Sequence, residues 1–118
     1  MSDLTVYLYP KCSTCRNAVK WLEARGHRIR GINVVEQPPG ERELGELIRQ
    51  SGLEVKKFFN TSGELYREMN LKDRLPHMSE DEMVKLLSLN GKLIKRPIVT
   101  DGRKATVGFN PSDFAKVW

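Results

Sequence analysis

Two cysteines, Cys12 and Cys15, are spaced as a Cys-x-x-Cys pair in this chain of 118 residues. Residues 4–9 before them have a strand-like alternation, and apolar residues at helical spacing continue from Cys15 to Leu22. The pair is therefore predicted at a strand-to-helix junction, where unpaired backbone N–H groups and the helix dipole favour a thiolate at Cys12. Because Cys15 follows one helical turn later, it can close onto Cys12 as a disulfide. This placement predicts thiol–disulfide chemistry.

Two other interpretations of the cysteine pair compete with this one. A zinc site needs a second pair of ligands, and the chain has no third cysteine and only two isolated histidines. Zinc is therefore disfavoured, and we predict no cofactor. An inert pair of buried cysteines stays open, because free cysteine often packs as a small apolar residue. Cys15 fits that interpretation, since it lies on the apolar stripe of the helix, whereas Cys12 lies at its polar start.

Length and charge limit the classes of protein to which the chain can belong. We expect a single domain, residues 1–118, with an ordinary apolar core. No apolar run is long enough to span a membrane, and no signal-peptide pattern begins the chain, so a cytoplasmic location is expected. In that reducing compartment a cysteine pair is more often catalytic or redox-sensing than structural. The formal net charge of +5 is spread among acidic residues, so we predict neither direct nucleic-acid binding nor a membrane partner.

The elements around the pair form a strand–helix–strand unit. Gly26 is predicted to end the first helix, and a second strand is predicted from Ile29 to Val35, before the break at Pro38-Pro39-Gly40. By the handedness rule this unit makes a right-handed crossover between parallel strands. A further helix is predicted to stop near Gly52.

The second half of the chain changes from helical to strand-like patterns. Residues 53–90 are predicted to be helical throughout, with capping boxes at Thr61–Glu64 and Ser79–Glu82. Residues 93–109 then predict a β-hairpin around Asp101-Gly102, in which Pro97 begins the first strand. A final short helix is predicted to follow, with Asn110-Pro111 at its start.

This order of elements resembles the thioredoxin fold, with a helical insertion at about residues 53–90. The predicted fold class is therefore α/β, with βαβ and ββα units around a mixed four-stranded sheet. A closer resemblance rests on four segments: YPKCSTCRNA (9–18), FNTSGELYR (59–67), KRPIV (95–99) and VGFN (107–110). It is to the arsenate reductase (ArsC) and Spx/MgsR family, and it covers essentially the whole chain.

The resemblance implies a position for Arg96 that its local sequence does not show. In thioredoxin-like folds the proline corresponding to Pro97 follows a cis peptide bond and faces the redox site. Arg96 would then lie beside Cys12 and offer several donors to a thiolate or an anion. Without the resemblance, Arg96 is simply an exposed arginine near a strand.

The resemblance also shows where this chain departs from the arsenate reductases. The glutaredoxin-linked enzymes have one catalytic cysteine at the position of Cys12, and three arginines that hold the oxyanion. Of those arginines only Arg96 is matched here, while Ser62 and Asn110 occupy the other two positions. Two further basic residues, Arg16 and Arg67, are candidates to supply the missing charge.

Three hypotheses of function follow. The first is an arsenate reductase-like oxidoreductase in which Cys12, Cys15 and Arg96 are catalytic, with thioredoxin or glutaredoxin/glutathione as reductant. The second is a redox-sensitive regulator of the Spx/MgsR type, which would bind the C-terminal domain of the RNA polymerase α subunit. The third is a fold member with an unreactive Cys12 that serves only as an interaction module.

Overall fold

A computed structural model describes residues 2–118, and its centre is one mixed four-stranded sheet. The spatial order is β2-β1-β3-β4, with β1 parallel to β2, β3 antiparallel to β1, and β4 antiparallel to β3. The strands are β1 (Asp3–Leu8), β2 (Arg28–Asn33), β3 (Ile98–Thr100) and β4 (Ala105–Val107). This topology confirms the predicted α/β, thioredoxin-like fold.

Residues 2–118 form six α-helices and three 3₁₀ turns. The helices are α1 (Ser13–Ala24), α2 (Glu41–Ser51), α3 (Glu64–Glu68), α4 (Leu71–Arg74), α5 (Glu80–Leu89) and α6 (Pro111–Val117). The 3₁₀ turns are Val55–Phe58, Leu75–His77 and Gly91–Leu93. Within residues 2–118, no helix has the length and apolar character needed to cross a membrane.

The sheet separates two apolar clusters, because successive side chains of a strand point to opposite faces. In β1, Val6 packs with α1 and α6, whereas Tyr7 packs with α2 and the helical insert. We call these faces the α1 side and the insert side. The α1-side cluster is Leu4, Val6, Ala18, Leu22, Val99 and Phe114. The insert-side cluster is larger and draws buried residues from α2, α4, α5 and all three 3₁₀ turns.

The insert, residues 55–93, is tied at its two ends by backbone hydrogen bonds. Phe59 and Ile94 form an isolated antiparallel bridge. Beside it, the Asn60 N–H donates to the Leu93 carbonyl at 2.7 Å, and the Lys95 N–H donates to the Phe58 carbonyl at 2.8 Å. These bonds hold the residues that follow the bridge, 60–62 and 95–96, near the end of the sheet at which β1 ends and α1 begins.

One predicted strand is longer than the observed one. The strand predicted to reach Val35 ends at Asn33, because the Asn33 side-chain oxygen accepts hydrogen bonds from the next two free N–H groups and turns the chain. The hairpin strand predicted to begin at Pro97 begins at Ile98, one residue later. Leu93 and Ile94, which precede it, are buried outside the strand.

One of the two predicted capping boxes is wrong. Ser79 and Glu82 form a complete box at the start of α5. Thr61 forms none, because α3 begins at Glu64 with Gly63 as its N-cap and without a side-chain hydrogen bond. The Gly63 N–H bonds to the Asn60 carbonyl at 3.1 Å, so a turn occupies the residues where the box was predicted.

Candidate active site

Cys12 is the N-cap of α1, and its position follows from the turn that precedes it. The Cys12 N–H donates to the Tyr9 carbonyl at 2.9 Å, which closes a turn with Pro10 at its second position. The Cys12 sulfur then accepts a hydrogen bond from the Cys15 N–H at 3.3 Å. A side chain in this role satisfies one of the orphan donors of the first helical turn. The helix terminus is thus directed at the sulfur, which is partly exposed.

Cys15 lies one turn further into α1 and has a different environment. Its side chain is 1% exposed, and both cysteines are in the free thiol form. Burial, followed by the hydrogen bond that its thiol makes with the Cys12 sulfur, raises the pKa of Cys15 to about 12. Cys15 is therefore a protonated donor toward Cys12 at neutral pH.

The pKa of Cys12 moves in the opposite direction. Partial burial of its sulfur by itself raises the pKa, whereas hydrogen bonds from the Cys15 thiol and backbone lower it. The charge of Arg96 and the Thr14 N–H lower the pKa further. The net result is a pKa below the ordinary value for a thiol, so the pair consists of one activated and one protected sulfur.

Arg96 reaches Cys12 from the end of the insert. Its guanidinium lies 5.1 Å from the centre of the Tyr9 ring and donates to the Lys92 and Ile94 carbonyls, each at 3.4 Å. The bond between Arg96 and Pro97 is cis, as the family resemblance implies. Pro97 itself is buried, and its carbonyl accepts from the Gly108 N–H at 2.9 Å. Two carbonyls and an aromatic ring therefore hold the guanidinium whose charge lowers the pKa of Cys12.

Cys12 and Arg96 open into a cleft of about 730 Å³, which we call the thiol cleft. Ser62 and Asn110 line the same cleft, although they are far apart in sequence. The Asn110 side-chain oxygen is occupied as the cap of α6, since it accepts from the Ser112 and Asp113 N–H groups. The Ser62 hydroxyl donates to the Asn60 side chain at 3.4 Å. Arg96, Ser62 and Asn110, which the resemblance aligns with the three arginines of the arsenate reductases, thus converge here, and only Arg96 is charged.

Arg16 and Arg67 are not brought into this cleft. The Arg16 guanidinium donates to the Pro10 carbonyl at 2.8 Å, which supports the turn before Cys12. Arg67 lies exposed on α3, outside the residues that line the cleft. Neither residue compensates for the missing arginines in this arrangement.

A second cation, Lys95, lines the cleft and was not singled out from the sequence. Its side chain runs past Gly108, where an added Cβ would meet the Lys95 Cε at 3.1 Å. Gly108 has a φ of +81°, a conformation that favours glycine. The glycine in VGFN was the available signal, because it indicates a close approach of another group to this strand end.

A metal centre has no ligand set in the described part of the chain. Among residues 2–118, no group of three or more His, Cys, Asp or Glu side chains is placed to hold an ion.

Comparison with known proteins identifies the family. Residues 7–117 match the ArsC family. The chain belongs to this family. Its relatives include the uncharacterized protein YusI of Bacillus subtilis (strain 168), which is 58% identical over 98% of both chains. The crystal structure of an ArsC-family-related protein from Bacteroides fragilis superposes with a TM-score of 0.93, at 44% identity over 98% of this chain and 97% of that one.

Relatives with named activities fall into two groups. An arsenate reductase of Acidiphilium multivorum is 31% identical to this ArsC-family protein, over 84% of this chain and 69% of the reductase. The regulatory protein MgsR of Bacillus subtilis (strain 168) is 28% identical, over 98% of this chain and 90% of the regulator. The family thus includes both enzymes and regulators.

Proposed function

We propose that this ArsC-family protein is a thiol–disulfide oxidoreductase in which Cys12 attacks and Cys15 resolves. The observation that carries the proposal is the asymmetry of the pair: Cys12 caps α1 with a lowered pKa, and Cys15 lies buried behind it with a pKa raised to about 12. A nucleophile must be a thiolate and accessible, whereas a resolving thiol must stay protonated until it is needed. Cys12 meets the requirement for the nucleophile, and Cys15 meets the requirement for the resolving thiol.

The first step forms a mixed disulfide. The Cys12 thiolate attacks one sulfur of a substrate disulfide, a new bond forms to that sulfur, and the other sulfur leaves as a thiolate. Arg96 stabilises the negative charge near the reacting sulfur before the attack. The leaving thiolate takes a proton from water.

The second step is timed by the loss of charge on Cys12. While Cys12 is a thiolate, its charge and its hydrogen bond both raise the pKa of Cys15. Once Cys12 is in a mixed disulfide, both contributions disappear, and Cys15 can ionise more readily. Cys15 gives up its proton to water, and its thiolate attacks the Cys12 sulfur. The substrate sulfur leaves as a thiolate, which takes a proton from water. The resulting intramolecular disulfide is reduced by an external dithiol, for which a thioredoxin or glutaredoxin is the proposed source.

Arsenate is not the proposed substrate. A tetrahedral oxyanion with up to two charges is held by several charge-assisted donors in the arsenate reductases, and the cleft here has Ser62 and Asn110 at two of those positions. Asn110 already uses its side-chain oxygen as a helix cap. Disulfides need no such clamp, since their charge develops on sulfur alone.

The test is a turnover assay with glutathione mixed disulfides and arsenate, in the presence of a thioredoxin or glutaredoxin reducing system. We expect disulfide turnover that Cys12→Ser abolishes, and a Cys15→Ser variant that accumulates a mixed disulfide at Cys12 by mass spectrometry. Turnover of arsenate at a comparable rate, or unchanged activity in Cys12→Ser, would overturn the proposal.

A regulatory role is the second candidate, and the likeness to MgsR over 98% of this chain favours it. In that role the same disulfide would switch binding to the C-terminal domain of the RNA polymerase α subunit. A pull-down with that purified domain, using the oxidised and the reduced protein, decides the matter. Absence of binding in both forms rules this candidate out, without affecting the proposed enzyme.

A further inference from the structure

A second concave surface of about 610 Å³ lies in the helical insert, and it has a strongly unequal charge distribution. Four lysines line it, whereas none of its lining residues is an aspartate or glutamate. We call this surface the lysine groove. Its lysines are Lys56, Lys57, Lys72 and Lys95, all exposed.

Most of this positive charge is not neutralised within the protein. Lys56 pairs with Glu54 at 3.2 Å, but both side chains are largely exposed, so the pair is weak. The other three lysines form no salt bridge with any residue from 2 to 118. The groove therefore presents an unpaired positive field and favours an anionic ligand.

Apolar side chains also line the groove. Phe59 and Tyr66 lie with ring centres 6.4 Å apart, and the flexible side chains of Met78 and Met83 line it with them. Methionine adapts to varied apolar partners, and it is used at surfaces that accept different side chains. The ligand should accordingly carry an apolar group as well as negative charge.

Lys95 connects the lysine groove with the thiol cleft, because it lines both. A ligand lying along the groove would thus pass directly toward the edge of the cleft that contains Cys12. A continuous surface of this kind suits an extended polypeptide better than a compact small molecule.

The charged groups around the groove also argue against a phosphate site. Phosphate is typically held by arginine forks, or by convergent backbone N–H groups at a helix N-terminus. The groove instead has flexible lysines spread around an open rim, and no arginine lines it. Dispersed point charges match a run of carboxylates along a peptide.

We propose that the lysine groove binds an acidic polypeptide segment carrying an apolar side chain, and that this segment belongs to a protein that exchanges disulfides with Cys12. The second half of this statement rests on the proposed function, and the first half does not. Binding would place the partner's sulfur in the thiol cleft by holding the neighbouring acidic segment.

Binding is tested with the full chain as a Cys12→Ser variant, so that no thiol chemistry contributes. The probe is a fluorescein-labelled peptide of glutamates with one central leucine. Two control peptides replace either the glutamates by glutamine or the leucine by serine. We expect saturable binding of the probe and binding weaker by about tenfold for each control, since each lacks one of the two matching features.

Charge reversal locates the site. Lys57→Glu/Lys72→Glu should weaken binding by about tenfold or more, because attraction becomes repulsion. The matched control, Lys85→Glu/Lys116→Glu, changes the net charge equally on exposed residues outside the groove and should stay within about twofold. Lys57→Gln/Lys72→Gln, with its fold checked by circular dichroism, replaces the first variant if that one unfolds.

Several outcomes overturn the groove as a peptide site. They are no binding of the probe, equal losses in the two charge-reversal variants, and displacement of the probe by ATP or inorganic phosphate at lower concentration than by unlabelled peptide. The last outcome would assign the groove to small anions instead.

The link with thiol exchange has its own measurement. In a Cys15→Ser background, acidic and glutamine peptides carry a cysteine activated with 5-thio-2-nitrobenzoate, placed at increasing distances from the acidic block. Cys12 attacks the peptide sulfur and releases the coloured thionitrobenzoate. Faster release from an acidic peptide at one spacing supports the link, and equal rates overturn it. No release from any peptide would overturn the proposed function, while the binding result would stand.

Discussion

The two sides of the sheet use the same strands but are stabilised in different ways. The α1 side rests on one helix of 12 residues and on α6, whose Phe114 ring packs edge-on against Trp21 and Phe109. The insert side has α3 with five residues and α4 with four, connected through Met69 and Asn70, with 3₁₀ turns before α3 and after α4. Helices that short are unstable alone, because nucleation costs more than a few hydrogen bonds return. The insert therefore depends on its buried contacts.

The candidate active site takes one component from each side. Cys12 caps α1 and Cys15 lies in its first turn, whereas Arg96 and Ser62 are positioned by the two tied ends of the insert. Disturbing the insert should thus separate the cation from the thiolate while the thiol helix stays formed. Four predictions test this difference between the sides.

The largest effect is expected from Gly91→Ala on the insert side. An added Cβ would lie 2.2 Å from the Val34 carbonyl oxygen and 2.8 Å from the Val35 Cα, so backbone would meet backbone. We expect a loss of about 4 kcal/mol or more in the free energy of unfolding, measured by urea denaturation followed by circular dichroism. Gly45→Ala in α2 is the control, since its Cβ meets nothing within 4 Å and should stabilise the helix by about 0.5–1 kcal/mol. Equal stability of the two variants would contradict the close packing at Gly91.

The second-largest effect is expected from two leucine truncations, one on each side of the sheet. Leu87 on the insert side and Leu22 on the α1 side are both fully buried, and either change to alanine should cost about 2–5 kcal/mol. Only Leu87→Ala should increase hydrogen exchange across residues 55–93, measured by mass spectrometry at a temperature where both variants are folded. Exchange that rises equally in both variants would show that the insert does not open separately.

Arg96→Gln should change the thiol without changing the fold. Removing the charge that lowers the pKa of Cys12 should move the midpoint of its alkylation rate to higher pH. Below that midpoint less thiolate is present, so the rate should fall several-fold at neutral pH and be unchanged well above it. The measurement is iodoacetamide alkylation against pH in a Cys15→Ser background. The control is Arg67→Gln, outside the cleft, which should leave the dependence of the alkylation rate on pH unchanged. An equal shift in the two variants would show that net charge causes the effect.

The smallest effect concerns the two predicted capping boxes of the insert. Ser79→Ala removes an observed cap and should cost about 1 kcal/mol in the free energy of unfolding. Thr61→Ala removes no cap, and its cost should lie within experimental error. Urea denaturation of both variants measures the difference. A larger loss of unfolding free energy in Thr61→Ala would show that Thr61 caps α3, as the sequence predicted.

The sequence by itself determined the parts of this protein that depend on neighbouring residues. The strand before Cys12, the start of α1 beside it, the end of α2 at Gly52, and the start of α6 at Asn110 follow from local periodicity and capping. Family resemblance added the cis bond before Pro97. These features were predicted correctly because the interactions that produce them span only a few residues.

Only the tertiary structure decided which distant residues meet. Arg96 and Ser62 face Cys12 because the bridge between Phe59 and Ile94 closes the insert, and no local pattern specifies that pairing. The lysine groove likewise gathers cations from three segments that the sequence separates. The end of β2 at Asn33 and the absent cap at Thr61 were settled by turns, whose hydrogen bonds compete with the strand and the helix that the residue pattern favours.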